Sequence, residues 1–171
     1  SMLSHKLSWN QVVISVLPLK YLGRGIDLWW YGGVFTYCGF TSELILPNNL
    51  ECIAGNNTFA GCEGLHGELR FPEKLTEISD GAFNGCKSLT GSITIPQGVH
   101  KLPTSVFQFC DNLNGTLTLP DGITSIGYNC FQGCALKGEL KLPKNLTVIA
   151  DEVFNGCDFS GELVLPKTIR S

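Results

Sequence analysis

Apolar residues return along this chain with a period of about 24 residues, and that period organises them more strongly than any local stretch does. Phenylalanine and cysteine stand three positions apart at Phe35/Cys38, Phe59/Cys62, Phe83/Cys86, Phe107/Cys110, Phe131/Cys134 and Phe154/Cys157, and successive cysteines of this set are 24, 24, 24, 24 and 23 residues apart. Prolines keep the same step at Pro47, Pro72, Pro96, Pro120, Pro143 and Pro166. Each is preceded by an apolar pair: Leu44/Leu46, Leu69/Phe71, Ile93/Ile95, Leu117/Leu119, Leu140/Leu142 and Leu163/Leu165. Three and six positions after the proline come Leu50/Ile53, Leu75/Ile78, Val99/Leu102, Ile123/Ile126 and Leu146/Ile149, and finally Ile169 alone. Length changes fall between these marks, as expected if loops absorb them and stacked core positions do not.

Apolar and polar residues alternate before each proline, the mark of a short strand with one buried face. The alternation predicts one parallel ladder of six strands at 43–46, 68–71, 92–95, 116–119, 139–142 and 162–165. Proline fits the last position of such a strand, where its missing N–H deletes no internal ladder bond. Parallel neighbours need a return path of a dozen or more residues, which the stretch from proline to cysteine supplies. A single unit cannot bury its own apolar face, so the units must stack into a solenoid with one continuous core.

The N-terminal segment does not keep the phase. Residues 1–33 are expected to hold a tag scar at Ser1-Met2 and then a cap or degenerate repeat, with a short interface element or a fragment of a larger neighbouring domain as the other readings of residues 3–32; residues 34–171 form the array, its last unit incomplete. Trp9, Trp29, Trp30 and Tyr31 suit a cap. The formal net charge of −3 offers no excess of cations for a phosphate backbone, so nucleic acid is not an expected partner. The longest apolar stretch, Val12 to Leu19, is interrupted by Ser15 and Pro18 and is too short to span a bilayer, so no membrane insertion is expected.

Eight cysteines invite a metal or disulfide reading, but six of them recur once per repeat and form a column rather than a cluster. Tetrahedral zinc needs four donors converging on one ion, and Cys130/Cys134 has no second pair beside it. The column is expected to be buried, reduced and free of metal, with cysteine acting as a small hydrophobe. His5, His66 and His100 fall at unrelated phases, so no base is set beside a nucleophile. No catalytic residue, cofactor site or metal site is expected. Asn56-Asn57-Thr58, Asn114-Gly115-Thr116 and Asn145-Leu146-Thr147 fit the glycosylation sequon, a short pattern that chance often produces.

The unit L-x-G-x-L-x-L-P-x-x-L-x-x-I-x-x-x-x-F-x-x-C resembles the BspA-like leucine-rich repeats of bacterial surface proteins and some protists, over Gly33 to Ser171. Ile126-Gly127 and Ala82-Phe83 keep the family's Ile-Gly-x-x-Ala-Phe pattern, while Leu102-Pro103, Val106, Cys130 and Val153 depart from it. The resemblance implies an α/β-type solenoid: a leucine-rich repeat right-handed superhelix with a short-stranded parallel sheet on its concave face and few or short helices. It also implies a non-catalytic protein-binding or adhesion module at the cell surface or secreted; the alternative is a structural spacer within a longer surface protein.

Two rows of outward residues on the expected sheet are the candidate binding face: Glu43, Glu68, Ser92, Thr116, Glu139 and Glu162, and Ile45, Arg70, Thr94, Thr118, Lys141 and Val164. Neither row holds an aromatic anchor, and a solvated sheet face is the competing reading. Leu163, Leu165 and Ile169 end the array under no further repeat, so self-association through an uncapped C-terminal end, or coverage by further native sequence, is expected.

Overall fold

The computed structural model describes residues 33–170 and, upstream of them, the backbone of one short strand at 21–22. Its strands in chain order are β1 (Tyr21–Leu22), β2 (Cys52–Ile53), β3 (Gly67–Glu68), β4 (Glu77–Ile78), β5 (Leu89–Thr90), β6 (Ile93–Thr94), β7 (Lys101–Leu102), β8 (Leu117–Thr118), β9 (Ser125–Ile126), β10 (Lys137–Glu139), β11 (Val148–Ile149) and β12 (Asp158–Ser160). Every pairing among them is parallel. The molecule is a parallel β-solenoid in which each turn of chain lies on the next.

The ladder expected before each proline is present but broken into pairs. It runs as β3 with β5, β6 with β8, β10 with β12, and a single bridge from Glu43 to His66. Proline closes each segment, and β5 and β6 are separated at Gly91 and Ser92, where Gly91 has φ +80°. The same conformation lies inside β10, at Gly138 with φ +81°, so positive φ alone does not end a strand here. Residues 162–165 carry no strand, and the last pairing lies at Asp158–Ser160 instead.

A second ladder stands where only a return path was expected. Residues five and six after Pro47, Pro72, Pro96, Pro120 and Pro143 form this ladder, pairing as β2-β4, with β1 on the outer side of β2, and as β7-β9-β11. In β4, β7 and β9 the second residue (Ile78, Leu102, Ile126) is buried while Glu77 and Lys101 are exposed. β1 joins this ladder with Tyr21 opposite Cys52 and Leu22 opposite Ile53, so the N-terminal segment enters the parallel stack at that point. The rest of the expected cap, residues 3–20 and 23–32, lies outside the described residues.

No helix occurs among the described residues, where the α/β expectation allowed few or short ones. The chain returns through turns at 56–61, 80–85, 104–109, 128–133 and 151–156. These turns bond directly to one another: Phe59 N donates to Ala82 O at 2.8 Å, Phe83 N to Val106 O at 2.9 Å, Phe107 N to Cys130 O at 2.9 Å and Phe131 N to Val153 O at 2.9 Å. Backbone groups that a helix would satisfy within itself are satisfied here by the neighbouring repeat.

Inside the turns runs a spine of six phenylalanine rings. Phe35, Phe59, Phe83, Phe107, Phe131 and Phe154 stack in sequence with centroids 5.4, 5.4, 5.7, 5.4 and 5.8 Å apart. Beside it stands the cysteine column, and here the structure adds a reason for the residue type. Each Sγ donates to the carbonyl of the phenylalanine in the preceding repeat: Cys62 to Phe35 at 2.9 Å, and Cys86 to Phe59, Cys110 to Phe83 and Cys134 to Phe107 at 3.1 Å each. Those carbonyls already accept the turn bond from the cysteine N–H of their own repeat. The thiol therefore fills a second lone pair on an oxygen sealed from water, which a purely apolar side chain could not do.

Candidate functional site

All twelve residues of the two outward rows lie off the core: Ser92 is half-buried and the other eleven are exposed. The inward residues Leu44, Leu69, Ile93, Leu117 and Leu140 are buried, so the alternation holds in five units, whereas in the last one Leu163 is exposed like its neighbours Glu162 and Val164.

The structure brings half of the face together. An open groove of about 1040 Å³ crosses the last three repeats and is lined by Thr116, Thr118, Glu139, Lys141, Glu162 and Val164 from the two rows. Asp121, Lys144 and Lys167 from the segment after the proline form one wall, and the edges of Leu117 and Leu140 lie in its floor. Glu43, Ile45, Glu68, Arg70, Ser92 and Thr94 stand outside it. Of these, Arg70 and Glu68 pair with each other at 3.2 Å, and Ser92 Oγ accepts from Thr116 N at 2.9 Å, so the face runs on from the groove without sharing its concavity.

Acids and bases both line the groove, Glu139 and Glu162 in one row and Lys144 and Lys167 in another. Lys144 Nζ lies 3.1 Å from Asp121 Oδ2, and hydrogen bonding to Lys144 holds the Asp121 carboxyl below the usual carboxylate range. Among the described residues, no ion pair is made by Glu139, Lys141, Glu162 or Lys167. The lining joins an apolar part, from Leu117, Leu119, Leu140, Leu142 and Val164, to charged and hydroxyl groups that a partner must match in sign.

Nucleophilic chemistry finds no support in the thiols. All eight cysteines are thiols rather than disulfides. Burial pushes Cys62 up to about 12 and raises Cys86, Cys110, Cys130 and Cys134 still further, so the reactive thiolate is suppressed at neutral pH. The expectation that the whole column is buried needs correction at its two ends. Cys38 and Cys157 are only half-buried, because the flank beyond each carries no further member of the column. Among the described residues no three His, Cys, Asp or Glu side chains gather as a metal site, and no helix is long and apolar enough to cross a membrane. His100 Nδ1 sits 3.1 Å from the Gly122 carbonyl, a contact between turns rather than to a nucleophile.

The row pattern passed over three exposed aromatics on the turns: Tyr37, Phe109 and Tyr128, at 80%, 47% and 57% exposure. Their signal in the sequence was faint but present. Tyr37 and Phe109 occupy the place two residues after the spine phenylalanine, where the other four repeats carry Gly61, Gly85, Gly133 and Gly156.

Residues 31–170 match the BspA type leucine rich repeat region in six copies. Two solved structures are similar. One is a leucine rich cell surface protein from Faecalibacterium prausnitzii, 30% identical, with a TM-score of 0.63 over 72% of this chain and 32% of that one. The other is a leucine-rich repeat protein from Bacteroides ovatus, 31% identical, with a TM-score of 0.56 over 64% of this chain and 28% of that one. The chain thus spans about a third or less of the length of either structure. No curated protein matches the chain.

Proposed function

From the premise that this chain belongs to the BspA-type leucine-rich repeat family, we propose that it is a non-catalytic protein-binding or adhesion module at the cell surface, with the groove over Thr116, Thr118, Glu139, Lys141, Glu162 and Val164 as the centre of its binding face. The observation that carries this reading is the convergence of six outward positions, spread over three repeats, on one concave surface that bears both acids and bases. Repeat solenoids build extended binding surfaces in this way, from residues that the stack orders at fixed spacing. The similar Faecalibacterium prausnitzii protein is a cell surface protein, which supports the location.

The partner expected is a folded protein with an acid and a base spaced to meet Lys141 and Glu139. The test compares capture of cell-surface and extracellular proteins by the wild-type chain and by a Thr118→Arg/Lys141→Glu variant, both immobilised at equal density. A partner whose retention falls at least tenfold in the variant supports the groove. Equal retention by both proteins, or no specific capture, favours the spacer reading.

A further inference from the structure

The turn edge of the array carries a combination that the strand face lacks: strained exposed aromatics beside a fixed run of amides. Two residues after each spine phenylalanine the backbone is left-handed, at φ +68° in Gly61, +71° in Gly85, +73° in Gly133 and +87° in Gly156. Phe109 adopts the same conformation at φ +58°, which for a bulky side chain is an outlier. Strain of this kind persists only where the surrounding structure imposes it, and it clusters at functional sites. Its ring is not held by the core. It rests outside, across the next turn, where a Cβ on Gly133 would come within 2.9 Å of Phe109 Cδ1. Tyr128 stands on that same next turn and is also mostly exposed.

Gln108, the neighbour of Phe109, begins the amide run. Its Nε2 donates to Gln132 Oε1, and Gln132 Nε2 donates in turn to the Glu152 carboxylate. Each amide uses one donor on its neighbour and keeps a second N–H, while the shared bonds fix its orientation in advance. On this side the repeats advance by the spacing of the spine rings, 5.7, 5.4 and 5.8 Å from Phe83 to Phe154. No Lys or Arg stands in the turns 104–109, 128–133 or 151–156.

We propose that this edge, formed by Phe109, Tyr128, Gln108, Gln132 and Glu152, is a second binding site, and that its ligand is a neutral oligosaccharide laid along the array. The C–H face of a pyranose is apolar and stacks on an aromatic ring. Its hydroxyls donate and accept at once, which suits amides and a carboxylate that offer both. The advance per repeat is close to the length of one hexopyranose in an extended β-1,4-linked chain, so successive sugars meet successive repeats. Absence of cations from these turns disfavours anionic glycans and nucleic acid. The exposed apolar area is two aromatic rings on neighbouring turns, unlike the contiguous buried centre of a protein interface.

Calorimetric titration of the chain with cellohexaose, mannohexaose and chitohexaose tests the proposal. Saturable binding of at least one of the three is expected, weakened at least tenfold by Phe109→Gly, a substitution to the residue that four other turns carry there. The thermal midpoint of that variant should not fall, which separates lost recognition from lost folding. Gln132→Ala should weaken the same sugar at least fivefold, and Thr118→Arg/Lys141→Glu should leave it unchanged, keeping this site distinct from the groove. No binding of any of the three sugars, or binding that Phe109→Gly and Gln132→Ala leave intact, overturns the proposal.

Discussion

Removing one ring from the middle of the spine tests the stacked core most directly. Phe107 is fully buried, with stacked neighbours on both sides at 5.7 and 5.4 Å and an edge contact from Phe71 at 6.1 Å. Phe107→Ala removes the transfer free energy of a whole ring and leaves a cavity that the rigid turns above and below cannot close, a loss of roughly 3 to 5 kcal/mol. The ring contacts themselves account for about 0.5 to 1.5 kcal/mol each within that total. Phe154 supplies the internal comparison, because it is only partly buried and stacks on one side alone, against Phe131. Phe154→Ala should cost about half as much on the same reasoning. Urea unfolding followed by circular dichroism gives both values, provided the slope of free energy on denaturant stays common to the two variants. A loss at Phe107 equal to or smaller than that at Phe154 would show that the spine does not act as a continuous core.

Three further outcomes follow from the thiols and the array's end. In native protein at mildly alkaline pH, iodoacetamide should label Cys38 and Cys157 first, with Cys62, Cys86, Cys110 and Cys134 reacting only on unfolding; mass spectrometry showing early labelling of Cys110 contradicts the buried column. Burial holds Cys62 at about 12 and Cys157 at about 11 against an ordinary 9.0, so the folded chain keeps protons that the unfolded chain releases above about pH 9. Stability contributed by these groups is therefore complete below about pH 9 and declines as pH rises beyond it, and a thermal midpoint that stays flat to about pH 10.5 would refute the linkage. Leu163, Val164 and Leu165 are 58%, 68% and 60% exposed, so light scattering over a concentration series should detect association that Leu165→Lys weakens, and a strictly monomeric wild-type chain speaks against it.

How much of this was legible in the sequence depended on whether a position must be the same in every repeat. Stacking forces Phe59, Phe83, Phe107 and Phe131 to repeat, and a thiol must meet a carbonyl one repeat back, so spine and column show as Phe-x-x-Cys. The second ladder was hidden because a strand of two residues, such as Lys101–Leu102, is too short to show alternation. Its single inward residue reads equally well as part of a return loop. The split between β5 and β6 at Gly91-Ser92 had no mark in the sequence either, because Gly138, a glycine in the same conformation, lies inside β10. The outward rows were legible from the period, but the groove was not. Its walls include Asp121, Lys144 and Lys167, whose approach to Thr118 and Lys141 depends on how the turn after each proline folds back.

The main-chain to main-chain hydrogen bonds between the turns that carry the spine all point one way. Phe59, Phe83, Phe107 and Phe131 each donate their N–H to the repeat that follows, and no such bond runs in reverse among these spine residues. Each thiol runs against that current, from Cys86, Cys110 and Cys134 back to the repeat before. Along the turns, any cut between two repeats therefore bares main-chain donors on one lip and acceptors on the other. The two lips are complementary and not alike. Whole units can thus be excised or inserted and the seam rejoined with its valences matched, whereas a fragment turned end for end would set like against like. Growth by complete units is the change of length that this polarity leaves open.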